Sequence, residues 1–150
     1  MKSAYPEKQG SGSKVKKLVA AFATDGEGFL FGEHFGNADF FTIYDISPSE
    51  SRPVLNMVNP TIIDDEERHA DPEKAKGVGG TLKKHQVQAV ISQTFGPNIQ
   101  RIRKQFVCIM VDVKTIEEGI RAVQNNFNII IKQWEIGVTR EPLNLKGKNP

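Results

Sequence analysis

Residues 89–123 read AVISQTFGPNIQRIRKQFVCIMVDVKTIEEGIRAV and decide the fold, because apolar runs alternate here with helical patterns. QAVISQ (88–93) and VCIMVD (107–112) are short and apolar, which is typical of buried strands. Between them, TFGPN predicts a tight turn and NIQRIRKQF a short helix that buries Ile99, Ile102 and Phe106. This βαβα pattern predicts neighbouring parallel strands with right-handed crossovers.

A second helix is predicted directly after this unit. Thr115 and Glu118 have the T-x-x-E spacing of a capping box, so we expect a helix to begin at Thr115. Its apolar residues recur at helical spacing and predict one buried face, which comprises Ile116, Ile120, Val123 and Phe127.

The first half of the chain adds further strands. KLVAAFA (17–23) predicts a central strand, and FFTIYDI (40–46) with VLNMVN (54–59) predicts an antiparallel pair. Pro72 can open a helix that runs to about Lys84. Together these elements predict one α/β domain with a mixed sheet of about five strands and helices on both faces.

The predicted boundaries divide the chain into three parts. Residues 1–15 are rich in glycine, serine and lysine and predict a flexible tail, whereas residues 16–128 form the domain. Residues 129–150 form an extension, in which IIIKQWEI (129–136) is compatible with an edge strand or a packed segment and the remainder with a loose tail. The acidic stretch 60–72, which contains His69, predicts a loop.

Composition limits the function classes. The 150 residues carry a net charge of +2 and one cysteine, Cys108, so we expect a reduced cytosolic protein. No run of residues is long and apolar enough for a membrane span, and no apolar segment at the N-terminus resembles a secretory signal. The basic groups are scattered and lack interleaved aromatic residues, so we expect no nucleic-acid partner.

The catalytic and metal-site patterns are sparse. The histidines His34, His69 and His85 and the single cysteine show no C-x-x-C or H-x-x-x-H spacing, which argues against a dedicated zinc site. Cys108 lies within an apolar run and is interpreted as a core residue. We therefore expect a protein that is not an enzyme.

One catalytic alternative stays open. Asp25, Asp45 and Asp112 each lie at or just after the end of a predicted strand, where carboxylates could converge on Mg²⁺ for nuclease chemistry. The favoured interpretation is that they stabilise turns or cap the next element.

The glycine-rich stretch DGEGFLFGEHFGNAD (25–39) holds the main candidate residue, His34. Glycines at this density predict irregular backbone that can approach a ligand. An imidazole on such a loop can ligate a metal, although the spacing alone leaves an ordinary surface histidine equally open.

The turn TFGPN is the second candidate element, with Thr94, Phe95, Gly96 and Pro97 as its candidate residues. It joins a strand to a helix start, where free N–H groups favour an anion. Because ligands of α/β sheets bind beyond the carboxyl ends of strands, both loops could face one pocket. An anionic metal–sulfur cluster would suit one imidazole and such backbone donors.

Several segments resemble the dinitrogenase iron–molybdenum cofactor biosynthesis family. The most specific is H-F-G-x-A-x-x-F, from His34 to Phe41, and the others are GVGGTL (77–82), AVISQTFGPN (89–98) and VDVKTIEEGIRAV (111–123). The resemblance implies a ribonuclease-H-like fold and a protein that stores or escorts an iron–molybdenum or other metal–sulfur cluster, bound transiently and without turnover.

The same resemblance implies roles for individual residues. His34 would be the imidazole nearest the cluster, and Phe35 and Gly36 would shape its loop. Gly96 and Pro97 would line the opposing turn. The implied partners are proteins that donate and accept the cluster, with this chain a monomer or weak dimer. The remaining alternative is a metal-free interaction or regulatory module of the same fold.

Overall fold

The computed structural model describes residues 17–60 and 72–147, and for residues 72–76 only the backbone. The predicted flexible tail and most of the acidic stretch around His69 lie outside these ranges. Within them, six strands form one sheet, and their bounds are β1 Leu18–Thr24, β2 Phe40–Ile46, β3 Ser51–Val58, β4 Ala89–Ser92, β5 Val107–Met110 and β6 Leu143–Asn144.

The sheet is mixed and its strand order is β3-β2-β1-β4-β5-β6. β2 runs antiparallel to β1 and β3, whereas β1, β4, β5 and β6 are mutually parallel. The predicted α/β class with a mixed sheet is confirmed. The expected count of about five strands is one too low, because β6 lies in the segment that the sequence predicts to be loose.

Four α-helices have described bounds, which are α1 Pro72–Lys84, α2 Ile99–Ile102, α3 Ile116–Asn125 and α4 Phe127–Ile136. The edge strand considered for residues 129–136 is wrong, since this segment lies within α4. The helix buries Phe127, Ile130 and Ile131 and exposes Ile129, which is a helical rather than an alternating pattern. Across the described ranges, no helix has the length and apolar character needed to cross a membrane.

Side chains alternate between the two faces of the sheet, and helices cover both. Along β1, Phe22 packs with α3 and α4, whereas the neighbouring Ala21 packs on the side of α1. α1 contributes Val78 and Leu82 to its face. This arrangement confirms the predicted helices on both faces.

The predicted capping box begins α3. Thr115 Oγ1 accepts a hydrogen bond from Glu118 N at 3.1 Å, and Glu118 Oε1 accepts one from Thr115 N at 3.1 Å. These bonds satisfy two of the N–H groups that the first helical turn leaves without intrahelical partners. The backbone N–H groups of Thr115 and Lys114, which donate to this carboxylate, hold the pKa of Glu118 below its usual range.

Candidate functional site

The candidate loops follow β1 and β4, the two central parallel strands. β2 and β3 lie on one side of this pair and β5 and β6 on the other, so the strand order reverses direction between β1 and β4. Such a switch in strand order leaves a crevice beyond the carboxyl ends, which is the common ligand position in open α/β sheets. The fold therefore places both predicted loops at this edge, which we call the carboxyl edge.

The two loops are joined through their backbones. His34 and Thr94 form an isolated parallel β-bridge, and Phe35 N donates a 3.0 Å hydrogen bond to Thr94 O. The buried Phe35 ring stacks on Phe95, with centroids 5.2 Å apart and planes 23° apart, and it also contacts Phe41, with centroids 4.9 Å apart. Two loops that are distant in the chain thus form one unit at the carboxyl edge.

The His34 side chain is exposed and lies against Gly96. A Cβ atom placed on Gly96 would lie 2.6 Å from His34 Nδ1, a distance that real Cβ contacts do not show. The absence of a side chain at Gly96 is therefore what gives the imidazole its place. Of the other candidate residues, Thr94, Phe95 and Gly36 are half-buried and Pro97 is exposed.

The helix after the TFGPN turn is shorter than an anion site requires. α2 has four residues, and its N-cap Asn98 makes no side-chain capping bond. Ile99 N, expected to be free for a ligand, donates to Gly96 O at 3.0 Å. The start of α2 is therefore a weaker anion site than the sequence pattern predicts. A helix of one turn has a small dipole, and an N–H group at its start already has a partner within the protein.

The described residues do not form a multi-ligand metal site around His34. Within residues 17–60 and 72–147, no three or more histidine, cysteine, aspartate or glutamate side chains are grouped so that they could hold a metal ion. Cys108 is fully buried, as its interpretation as a core residue predicts. Burial raises the pKa of its thiol to about 12, against a smaller opposite effect of the Arg140 and Arg103 charges, so the thiol stays neutral.

The three aspartates of the nuclease alternative do not converge. Asp25 and Asp112 follow β1 and β5 at the carboxyl edge, whereas Asp45 pairs with Val19 near the opposite edge. Asp25 accepts hydrogen bonds from the backbone of its own turn, and Asp112 accepts one from Gly147 N at 2.9 Å. The Asp25 bonds have the favoured turn-stabilising role, whereas the Asp112 bond joins segments that are distant in the chain. The geometry offers the nuclease alternative no carboxylate cluster among these three residues.

Asp45 has a structural role that is testable by pH. Burial raises the pKa of its carboxyl, but hydrogen bonds from Arg52 at 2.8 Å and Lys17 at 3.4 Å outweigh burial and hold the pKa below its usual range. A lowered folded-state pKa stabilises the fold above the unfolded-state pKa, and this stability disappears as pH falls through the folded-state value.

We therefore expect Asp45→Asn to lower the free energy of unfolding by about 0.5–1 kcal/mol at pH 7, since both cationic partners are largely exposed. Urea unfolding at pH 7 and at pH 2 measures this difference. Glu50→Gln, which changes an exposed carboxylate in the neighbouring turn, is the control and should have no effect. An equal loss at both pH values would contradict the assigned ion pairs.

The sequence profile described as dinitrogenase iron-molybdenum cofactor matches residues 16–126. The chain belongs to this family. No curated protein matches the chain. Among solved structures, a protein from Methanocaldococcus jannaschii described as a candidate dinitrogenase is similar, with a TM-score of 0.54, 15% sequence identity, and coverage of 75% of this chain and 92% of the other. At that identity the likeness shows the fold alone.

In this dinitrogenase iron-molybdenum cofactor family member, the matched region ends at the C-terminal end of α3. It therefore includes both joined loops and the first five strands. The helix α4 and the strand β6 lie beyond it, although both pack on the same sheet.

Sequence reasoning missed one residue that contacts the candidate site. Asn59 directly follows β3 and is fully buried, and its side-chain amide donates to Gly36 O at 2.9 Å and to Ala38 O at 2.8 Å. The alternating pattern predicts it only as the last residue of a strand. The signal available in the sequence is the Asn59-Pro60 pair, which is typical of a turn.

Proposed function

We propose that this protein is a non-catalytic carrier that binds a preassembled metal–sulfur cluster through the His34 imidazole. The observation that supports the proposal most directly is the position of His34, which is exposed on a loop that the Thr94 bridge fixes at the carboxyl edge. Family membership supports a part in iron–molybdenum cofactor biosynthesis or binding. The carrier role and the identity of the cluster are our proposals.

The chemistry of the site suits a cluster better than a bare ion. Within the described residues no group of three or more ligating side chains is present, and the His34 imidazole by itself provides one ligand, whereas a structural metal ion such as zinc is almost always held by about four. A preassembled cluster brings its own sulfide ligands and needs only one vacant position filled from the protein. Because the α2 start contributes little to anion binding, coordination rather than charge is expected to supply most of the affinity.

Transient binding follows from the same geometry. One ligand on an exposed loop leaves most of a cluster accessible, so the cluster can be passed on without unfolding the protein. The proposed partners are therefore a protein that donates the cluster and one that accepts it. We place this exchange in the cytosol, where the buried Cys108 stays a free thiol.

Reconstitution with tetrathiomolybdate or an isolated iron–molybdenum cluster, followed by optical spectroscopy, tests the proposal. We expect His34→Ala to weaken cluster binding at least about tenfold, because it removes the coordinating atom. His85→Ala is the matched control, since His85 is also exposed but follows α1 at the opposite edge. Its binding should equal that of the wild type.

The other outcomes separate the remaining interpretations. Equal binding by wild type and His34→Ala would remove His34 from the site. A wild-type protein that binds neither cluster would favour the metal-free interaction or regulatory module.

A further inference from the structure

The loop that carries His34 is held from two directions. From the β4 side, Thr94 O accepts the hydrogen bond of Phe35 N. From the β3 side, the Asn59 side chain donates to the carbonyls of Gly36 and Ala38, and Asn59 N donates to Asp39 O at 3.0 Å. The carbonyls that Asn59 binds belong to the 3₁₀ turn Phe35–Asn37 or to the two residues after it, and His34 directly precedes this turn.

The Asn59 position requires a carboxamide. Its NH₂ group offers two donors, and both are used on carbonyl oxygens at hydrogen-bond distance in a fully buried environment. An aspartate has the same shape but would set carboxylate oxygens against two carbonyl oxygens. A serine is shorter and has a single donor, so it cannot replace both bonds.

The position of the imidazole depends on this backbone. The His34 side chain is exposed, and the N-cap position it occupies makes no side-chain capping bond. Its place against Gly96 is therefore set by where the loop backbone lies. Loss of the two Asn59 side-chain bonds would loosen the 3₁₀ turn on the β3 side, where only the backbone bond from Asn59 N to Asp39 O would remain of the three Asn59 bonds described above.

We infer that Asn59 is a positioning residue, which fixes the His34 imidazole against Gly96 by holding the adjoining 3₁₀ turn from the end of β3. The restraint of the His34 loop by Asn59 is present in the protein without a bound cluster. Its consequence for cluster binding rests on the proposed function. Asn59 does not contact the cluster in this scheme and acts through His34.

The first test follows the imidazole in the free protein by ¹H–¹⁵N NMR. The chain has three histidines, and the His34 signals are those that His34→Ala removes. We expect them to shift or broaden in Asn59→Ser and, if it folds, in Asn59→Asp. Asn56→Asp is the matched control, because exposed Asn56 lies on the same strand and its side chain accepts from Thr42 Oγ1, which a carboxylate also does.

Unchanged His34 signals in folded Asn59→Ser would overturn the inference. The inference would also be overturned if Asn56→Asp perturbs the His34 signals as strongly, because any substitution in β3 would then have this effect. Far-UV circular dichroism below the unfolding transition establishes that the variants compared are folded. Should Asn59→Asp fail to fold, Asn59→Ser alone decides.

The second test uses tetrathiomolybdate titration of folded protein in a double-mutant cycle. We expect Asn59→Ser to weaken binding about tenfold, and His34→Ala combined with Asn59→Ser to bind no more weakly than His34→Ala alone. A role in stability alone would leave the affinity of the folded protein unchanged, and additive losses would mean that Asn59 acts independently of His34. Either result overturns the positioning role.

Failure of the proposed function gives a different pattern. If wild-type protein does not bind tetrathiomolybdate or the iron–molybdenum cluster, the carrier proposal fails. The positioning role is then tested only by the His34 NMR signals of the free protein.

Discussion

Arg140→Ala is expected to lower the free energy of unfolding by about 3 kcal/mol, the largest stability effect of the substitutions proposed for this protein. The Arg140 guanidinium is buried and donates four hydrogen bonds of 3.0–3.1 Å to backbone carbonyls. Two of these carbonyls belong to the last turns of α4, Gln133 and Trp134, and two to the segment before β5, Arg103 and Lys104. The guanidinium also lies 4.9 Å from the centroid of the Trp134 ring.

The size of the effect reflects the groups that the alanine leaves without a partner. Four partly buried carbonyls in two separate segments lose a charged donor, and a fully buried polar group without a partner would cost about 1–3 kcal/mol. Water that enters the space recovers part of this loss. For a chain of this length, about 3 kcal/mol corresponds to a fall in Tm of about 10 °C.

Differential scanning calorimetry measures the effect, with Arg101→Ala as the control because Arg101 is an exposed arginine of α2. Arg140→Lys should recover less than half of the loss, since one ammonium group cannot reach both segments. Amide exchange at Leu145, whose N–H donates to Met110 O at 2.8 Å, should accelerate in Arg140→Ala. A free energy within about 1 kcal/mol of the wild type would contradict the role assigned to Arg140.

The same arginine explains why the C-terminal part of the fold was the hardest to predict. β6 has two residues that pair with β5, and Arg140, three residues before it, is hydrogen-bonded both to α4 and to the segment before β5. Nothing periodic in residues 137–147 signals such a strand. The neighbouring run IIIKQWEI begins with three β-branched residues, which are compatible with a strand or a helix. In the structure this run lies in α4, which packs against β5.

The centre of the fold was predictable because its signals are local. The apolar runs of β4 and β5 and the capping box of α3 each determine an element within a few residues, and the parallel pairing follows from the short connections. The meeting of the His34 and Thr94 loops was predictable from the rule that carboxyl ends of neighbouring parallel strands share an edge.

The details of the candidate site were not predictable in this way. Asn59 contacts Gly36 and Ala38, which are distant in the chain, and its residue type has no periodic signature. The sequence identifies Gly96 as a turn residue, but the structure gives a different reason for a glycine at this position. It provides space for a side chain of another loop, a contact that no local pattern encodes.

Because Gly96 provides this space, we expect Gly96→Ala to have a large effect on the candidate site at little cost in stability. The added methyl group would lie 2.6 Å from His34 Nδ1 and 3.1 Å from its Cε1. Because the imidazole is the exposed end of a side chain, it can rotate away, so we expect a change in Tm of less than about 2 °C. The His34 NMR signals should shift, and the affinity for tetrathiomolybdate should fall about tenfold, since a displaced imidazole no longer presents its ligating nitrogen in place.

Gly32→Ala is the matched control, since it adds the same methyl group two residues before His34. Its Cβ atom would lie 3.7 Å from Gln93 Oε1, an ordinary contact. A binding loss in Gly96→Ala but not in Gly32→Ala would show that the orientation of the imidazole matters, and not merely the presence of a histidine. If Gly96→Ala shifts the His34 signals and leaves binding intact, the cluster does not depend on the orientation seen in the free protein. If the signals stay unchanged, the close packing of His34 on Gly96 is itself wrong.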